Sequence, residues 1–183
     1  MNLRTKKSIF DKDGQALVEL AIVLPLLTLL FLGVYDFSRA IQAKNIIANV
    51  SREGANMAAR SSNVSQDIMN SVAFTAQPLD MNSNGMIYIT KVTGKANNNG
   101  SVDPIINLKD DQVAWNGKTS PASNLGTPKA DGQKAKNLGV SLNNGDIVYV
   151  VEVFYNYQSI FSVGKKILKT QLYSKAIFPQ VLQ

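Results

Sequence analysis

Residues 16–35 form a run of twenty residues in which Glu19 is the only charged side chain. As an α-helix this run rises by about 30 Å, which matches the hydrocarbon core of a bilayer. A carboxylate inside a membrane-length segment is energetically costly, and a residue of this kind is interpreted as functional by default. The run therefore predicts a transmembrane helix over residues 15–35 that carries a functional residue near its start.

The charges that flank the apolar run predict its orientation. The leader before Gln15 has an excess of cationic side chains, namely Arg4, Lys6, Lys7 and Lys12 against Asp11 and Asp13. Cationic flanks stay in the cytoplasm, so we expect a cytoplasmic leader and an exported C-terminal part. Asp36 and Arg39 then mark the exit from the bilayer. The expected location is the inner membrane of a bacterium, crossed once, with the head in the periplasm.

Three kinds of N-terminal segment compete as explanations of this apolar run. A cleaved secretory signal needs a shorter apolar core that is followed directly by a small-x-small cleavage site. Ser38-Arg39-Ala40 loosely fits such a site, but the apolar run is too long and Asp36 lies between the run and the site. A plain signal anchor explains neither Gly14 nor Glu19. A segment that is cut on its cytoplasmic side explains both. Glycine before a scissile bond does not hinder an extended pose, and cutting frees the α-amine of Gln15, one helical turn from Glu19.

The same residues resemble a known family. Residues 14–19, 20–27 and 32–40 contain, in order, Gly14, Glu19, Pro25 and the ending Gly-x-x-Asp-Phe-x-Arg-Ala. This pattern is similar to the TadE-like family of minor pilins, or pseudopilins, of tight-adherence (Tad or Flp) pili. The wider type IV prepilin class shares the glycine and the glutamate but not the stretch from Pro25 to Arg39. The resemblance is dense over residues 14–40 and extends to the rest of the chain only in layout.

The resemblance implies a structural subunit with defined partners. A membrane aspartic prepilin peptidase would cut between Gly14 and Gln15, after which the helix would pack in lipid beside other pilin or pseudopilin subunits at an inner-membrane assembly platform. Such a subunit would prime or cap the pilus, or modulate its stability or adhesion. Glu19 would then meet the new amine of its own or a neighbouring chain and set the register between subunits. Pro25 cannot donate a helical hydrogen bond, so we expect a kink or a loosened turn there.

Beyond the membrane the pattern predicts an α+β fold. Residues 36–62 continue the helix with an amphipathic spacing, and residues 63–183 form the exported head. We expect a short second helix over residues 66–77, capped by Ser65, and three antiparallel strands over residues 86–93, 147–157 and 169–178. The apolar face of this small sheet should pack on the long helix. Residues 94–145 are rich in turn-forming residues and are interpreted as an elaborated loop.

Several classes of function are disfavoured by what the chain lacks. It has no histidine and no cysteine, and no catalytic or phosphate-binding motif, so we expect neither an enzyme nor a cofactor. The net charge of +6 is diffuse, which argues against nucleic acid as a partner. Residues 80–85 imitate the first half of a calcium loop, but Lys91 stands where a bidentate glutamate belongs, so we interpret them as a turn and expect no metal site.

Two alternatives to a Tad subunit stay open. A pseudopilin of a type II secretion system would share the processing chemistry but have different partners. A bitopic, signal-anchored membrane protein would instead bind a ligand or surface through residues 94–145, because long loops in compact domains are often functional.

Overall fold

The computed structural model describes residues 10–61, 64–107, 109–117, 120–129, 131–160 and 169–181. The chain divides into two compact units, residues 1–39 and 40–183. Helix α1 (Phe10–Ser61) belongs to both. The helix starts five residues before the predicted start at Gln15, and leader residues 1–9 lie outside the described residues.

In the second unit, α1 contacts the sheet through a stripe of mostly small side chains. The fully buried apolar residues lie on one face of the helix, and with the buried Ser51 they follow the helical repeat of three to four positions: Ala43, Ile47, Val50, Ala55, Ala58 and Ala59. Gly54 belongs to the same face, and a Cβ atom added there would lie 3.3 Å from Val151 Cγ1. The stripe therefore brings the helix backbone close to the sheet. The predicted amphipathic continuation of the helix is observed.

Two short helices follow. Helix α2 (Gln66–Thr75) is capped as predicted, because the Ser65 hydroxyl accepts a hydrogen bond from the Ile68 amide at 3.4 Å. Its buried residues, Ile68, Met69 and Val72, join the core next to α1. Helix α3 (Met81–Asn84) occupies residues interpreted from sequence as a turn. The Asp80 carboxylate caps it by accepting from the Ser83 amide at 3.1 Å.

The sheet is antiparallel, as predicted, but within the described residues it has six strands and not about three. The predicted strands are present as β1 (Gly85–Ala96), β5 (Ile147–Gln158) and β6 (Lys169–Pro179). Three further short strands, β2 (Val102–Ile106), β3 (Gln112–Ala114) and β4 (Gln133–Lys134), come from the segment interpreted as a loop. The strand order is β4-β2-β1-β5-β6, and β3 pairs with β1 beside β2.

The central strand β5 is buried on both faces. Its odd-numbered residues, such as Tyr149, Val151 and Val153, pack toward α1 and α2 on what we call the inner face. Its even-numbered residues Val148, Val150 and Phe154 pack on the opposite, outer face. The sequence predicted an apolar face that packs on the helix, and this face is observed. The second buried face was not predicted.

The outer face is covered by the segment between β1 and β5. Ile106, Leu125, Ala135 and Leu138 form a second apolar cluster with Val92, Val148 and Val150. The sequence does not predict the short strands of this segment, because each spans only two to five residues and because β2 contains Pro104, which is unusual in a strand. β2 pairs with the preceding β1, whereas β3 pairs with β1 and β4 with β2 over longer distances in sequence, so tertiary contacts and not local alternation determine these two strands.

Candidate processing and assembly site

The residues predicted for processing lie in the first two described turns of α1. Gly14 is within the helix, and nothing lies within 4 Å of the position that its Cβ atom would take. The next residue, Gln15, donates a hydrogen bond from Nε2 to Oε1 of Glu19, one turn further along the helix, at 3.1 Å. The structure thus brings the side chains of Gln15 and Glu19 together on one helical face. Both are exposed at the surface of the protein.

Around Glu19 the surface of α1 is apolar on all sides. Large side chains from Leu17 to Phe37 are between 40% and 69% exposed. A helix that is apolar all round is suited either to a protein core or to a bilayer. In the part of the chain that the structure describes, one helix, Gly14–Ser61, is long and apolar enough to span a membrane, and its most apolar stretch is not buried inside the protein. This surface is consistent with a single-pass membrane anchor.

Pro25 lies inside the same helix, which is assigned as α-helical on both sides of it. Its ring nitrogen carries no hydrogen, so the carbonyl of Ala21 receives no bond from residue 25. One residue before the proline, the Leu24 carbonyl accepts a hydrogen bond from Thr28 Oγ1 at 2.8 Å. A kink at Pro25 stays a prediction.

Asp36 and Arg39, the residues predicted at the membrane exit, lie one turn apart on α1. Asp36 is half-buried and Arg39 is exposed. They follow the uncharged residues 20–35 and precede Ala43, the first fully buried residue among the helix positions whose burial is described. Their placement at the level of a membrane surface stays a prediction.

A polar cluster in the head was not found from the sequence. Glu152, on the outer face of β5, has no exposed surface. Its carboxylate accepts hydrogen bonds from the Ser123 hydroxyl, from the Asn124 amide at 3.1 Å and from the Tyr173 hydroxyl at 2.9 Å. Among the described residues no cation forms an ion pair with it. All three partners are neutral donors. Because they come from residues 123–124 and from β6, Glu152 connects this segment and β6 with its own strand, β5.

The cluster changes the acidity of its tyrosines. Burial raises the pKa of Tyr173 to about 12; a hydrogen bond with Asn124 opposes the shift, while the charge of Glu152 and the hydrogen bond to its carboxylate add to it. Burial and, secondarily, the charge of Glu152 also raise the pKa of Tyr88. The signal in the sequence was Glu152 itself, a charged residue among Val148, Val150 and Phe154, but alternation alone gave no reason to expect this face to be covered.

The remaining candidates of the head have structural roles in the described residues. Trp115 is buried and donates from Nε1 to Asn70 Oδ1 at 3.0 Å, so it packs its own segment against α2. No group of three or more acidic side chains that could hold a metal ion occurs within the described ranges. The cap that Asp80 forms on α3 is a local role for the residue that would begin a calcium loop.

Comparison with known proteins assigns the N-terminal part of the chain. No curated protein and no solved structure matches the chain. Residues 14–56 match the family model described as TadE-like protein. The match begins at the predicted cleavage residue Gly14 and includes Glu19, Pro25, Asp36 and Arg39. Over residues 14–56, the chain is similar to the TadE-like family.

Proposed function

We propose that this chain is a structural, pilin-like subunit of a Tad-type pilus and that a prepilin peptidase cuts it between Gly14 and Gln15. The TadE-like family is one of structural pilus components, which supports a structural role over an enzymatic one. In this proposal the partners are the peptidase, other pilin or pseudopilin subunits, the inner-membrane assembly platform and lipid. The head is presented in the periplasm or on the pilus.

The contact between Gln15 and Glu19 carries this proposal. In the uncut chain the carboxylate accepts a hydrogen bond from a neutral amide one turn away, at 3.1 Å. Cutting after Gly14 adds a cationic α-amine to the same residue, at the same turn of the helix. A carboxylate in lipid is costly without a partner, and a cation close by reduces that cost. The cut therefore creates the partner that Glu19 needs, from its own chain or from a neighbouring subunit.

Gly14 suits the cut for a second reason. It lies within α1, whereas a protease binds its substrate in an extended conformation. The first turns must unwind before cleavage. Glycine is less favourable than alanine in a helix by about 1 kcal/mol, so it lowers the cost of this unwinding.

Two measurements test the proposal: the mass of the intact chain after processing, and the amount of the chain that enters pili. Co-expressed with the peptidase of its own cell, the chain should lose residues 1–14 and begin at Gln15, and Gly14→Leu should block the loss. Glu19→Ala should be cut normally but should enter pili more than about tenfold less, because removing one partner of a desolvated pair leaves the other charge unpaired. Thr28→Ala is the matched control, since its hydroxyl bonds only within its own helix.

Two outcomes would contradict the proposal at different steps. A chain that keeps Met1 in the presence of the peptidase would favour the signal-anchored alternative. A Glu19→Ala chain that is cut and assembled like the parent would leave processing intact but remove the role of Glu19 in register.

A further inference from the structure

Among the strands of the described residues, β6 ends the sheet and pairs with β5 alone. It is eleven residues long, and its register with β5 is continuous from Gln158 opposite Lys169 to Val148 opposite Pro179. At the opposite edge the strands are short, with two to five residues in β2, β3 and β4. A long edge strand presents a row of backbone groups that can pair with another chain.

The hydrogen bonds show which residues of β6 face outward. Beyond the strand end, the Gln180 amide donates to the Ile147 carbonyl at 2.9 Å, so this opposed pair is of the hydrogen-bonded kind. In an antiparallel ladder such pairs alternate with pairs whose backbone groups point away. Even-numbered residues of β6 therefore bond to β5, and odd-numbered residues direct their backbone groups to the free edge. Pro179, which has no N–H, occupies an odd-numbered position, where none is needed.

Lys44 gives an independent indication of the same alternation. Its ammonium, on α1, donates to the carbonyl of Tyr173, an odd-numbered residue of β6. The outward N–H groups of β6 are those of Gln171, Tyr173, Lys175 and Ile177. Within the described part of the chain no backbone carbonyl outside the sheet ladders accepts a hydrogen bond from these four amides. The edge thus offers four donors at every second residue.

The charge at this edge is of one sign. Strand β6 contains no aspartate or glutamate. Lys44 donates to a carbonyl, and Lys175 donates to the carbonyls of Asn137 and Leu138 at 2.6 and 3.0 Å. Among described residues neither ammonium forms an ion pair. Lys44 comes from the inner side of the sheet and Lys175 lies on its outer side, so a strand added at this edge would have a lysine near each of its faces.

We propose that the free edge of β6 binds an extended, acidic segment of a partner protein as an additional strand. The backbone donors of the odd-numbered residues would hold the segment, and its carboxylates would meet Lys44 or Lys175, because neighbouring strands bring opposed side chains within reach. A second copy of β6 is disfavoured as the occupant, since it would bring lysines against lysines. This inference does not depend on processing at Gly14.

The test uses the full chain in detergent micelles and measures amide exchange by NMR. The probe is a peptide of about nine residues, enough to span most of β6, with alternating threonine and glutamate; a threonine–lysine peptide of equal length is its control. The acidic peptide should slow exchange at the outward amides of Gln171, Tyr173, Lys175 and Ile177 by at least about tenfold, because they gain acceptors. The inward amides of Leu172, Ser174 and Ala176 should not change.

Two variants separate the contributions of charge and backbone. Lys44→Gln should weaken binding of the acidic peptide roughly fivefold, because a charge opposite to that of the peptide is lost beside the added strand. Gln171→Pro removes one outward N–H and none that bonds to β5, and it should weaken binding to a similar extent, roughly fivefold.

The proposal is overturned by any of four results. The first is that the acidic peptide does not slow exchange at the outward amides, and the second is that the lysine peptide slows it equally. Protection that grows with protein concentration in the absence of peptide would assign the edge to a second copy. Tighter binding by Lys44→Gln would identify Lys44 as a guard against strand addition.

Discussion

At the scale of residues, two tyrosine hydroxyls of the head differ in whether they have a partner. Tyr149 has no exposed surface, and its hydroxyl is a buried polar group without a hydrogen-bond partner in the described structure. The Tyr173 hydroxyl donates to the Glu152 carboxylate at 2.9 Å. Burial of an unpaired hydroxyl destabilises the folded state, whereas a hydrogen bond to a charged group stabilises it.

This difference predicts opposite effects of the same substitution. Tyr149→Phe should raise the free energy of unfolding by about 0.5–2 kcal/mol, because it removes a desolvated hydroxyl and no bond. Tyr173→Phe should lower it by about 1.5–3 kcal/mol, because it removes a bond to a buried carboxylate. Urea unfolding of the two variants beside the parent measures both. A loss of stability in Tyr149→Phe would mean that its hydroxyl has a partner, such as a bound water.

At the scale of elements, the contact between α1 and the sheet depends on the absence of a side chain at Gly54. An added Cβ atom would meet Val151 Cγ1 at 3.3 Å and Val72 Cγ1 and Cγ2 at 3.4 Å, so α1, α2 and β5 converge at this residue. Glycine inside a helix costs about 1 kcal/mol relative to alanine. The close packing of three elements offsets that cost.

A larger side chain at Gly54 should therefore separate these elements. Gly54→Leu should lower the free energy of unfolding by about 1–3 kcal/mol, as overpacking of a filled core does. The neighbouring Glu53→Leu is the control, because Glu53 is exposed on the same helix and should change stability by less than about 0.5 kcal/mol. Thermal unfolding followed by circular dichroism compares them. Equal effects of the two substitutions would contradict the packing assigned to Gly54.

At the scale of the whole molecule, the head consists of helices on the inner face of the sheet and an irregular layer on its outer face. Glu152 connects the outer layer with β5 and β6 through Ser123, Asn124 and Tyr173. Folding therefore places Tyr173 where its pKa is raised from 10.0 to about 12. A raised pKa in the folded state links the stability of the molecule to alkaline pH.

The sign of this linkage follows from proton binding. Above pH 10 an unfolded tyrosine loses its proton while the folded Tyr173 keeps it, so the folded state binds more protons and stability falls as pH rises. The loss should occur between about pH 10 and about 12 and should be smaller in Tyr173→Phe. Urea midpoints of the two proteins, measured across that range, give the difference directly. Parallel curves for parent and variant would contradict the assigned shift.

The features that could be predicted from sequence are those with a local or periodic cause. The apolar run with one carboxylate, the cap of Ser65 on α2 and the alternation of β5 each result from short-range rules, and the structure contains all three elements. The spacing that brings Gln15 and Glu19 together also results from helix geometry alone. The match to the TadE-like family model covers the same N-terminal residues.

Only the tertiary structure decided how residues 94–145 are used. Strands of two to five residues have too few positions to show alternation. β2 follows β1 directly and pairs with it, but β3 pairs with β1 and β4 pairs with β2 across more than twenty intervening positions. Once β2, β3 and β4 are paired, this segment covers the outer face, buries Glu152 and supplies its donors. The sequence by itself therefore determined the apolar N-terminal helix, its amphipathic continuation and the long strands. The six-stranded sheet, the buried carboxylate and the open edge of β6 depend on which distant segments meet, and no local pattern encodes that.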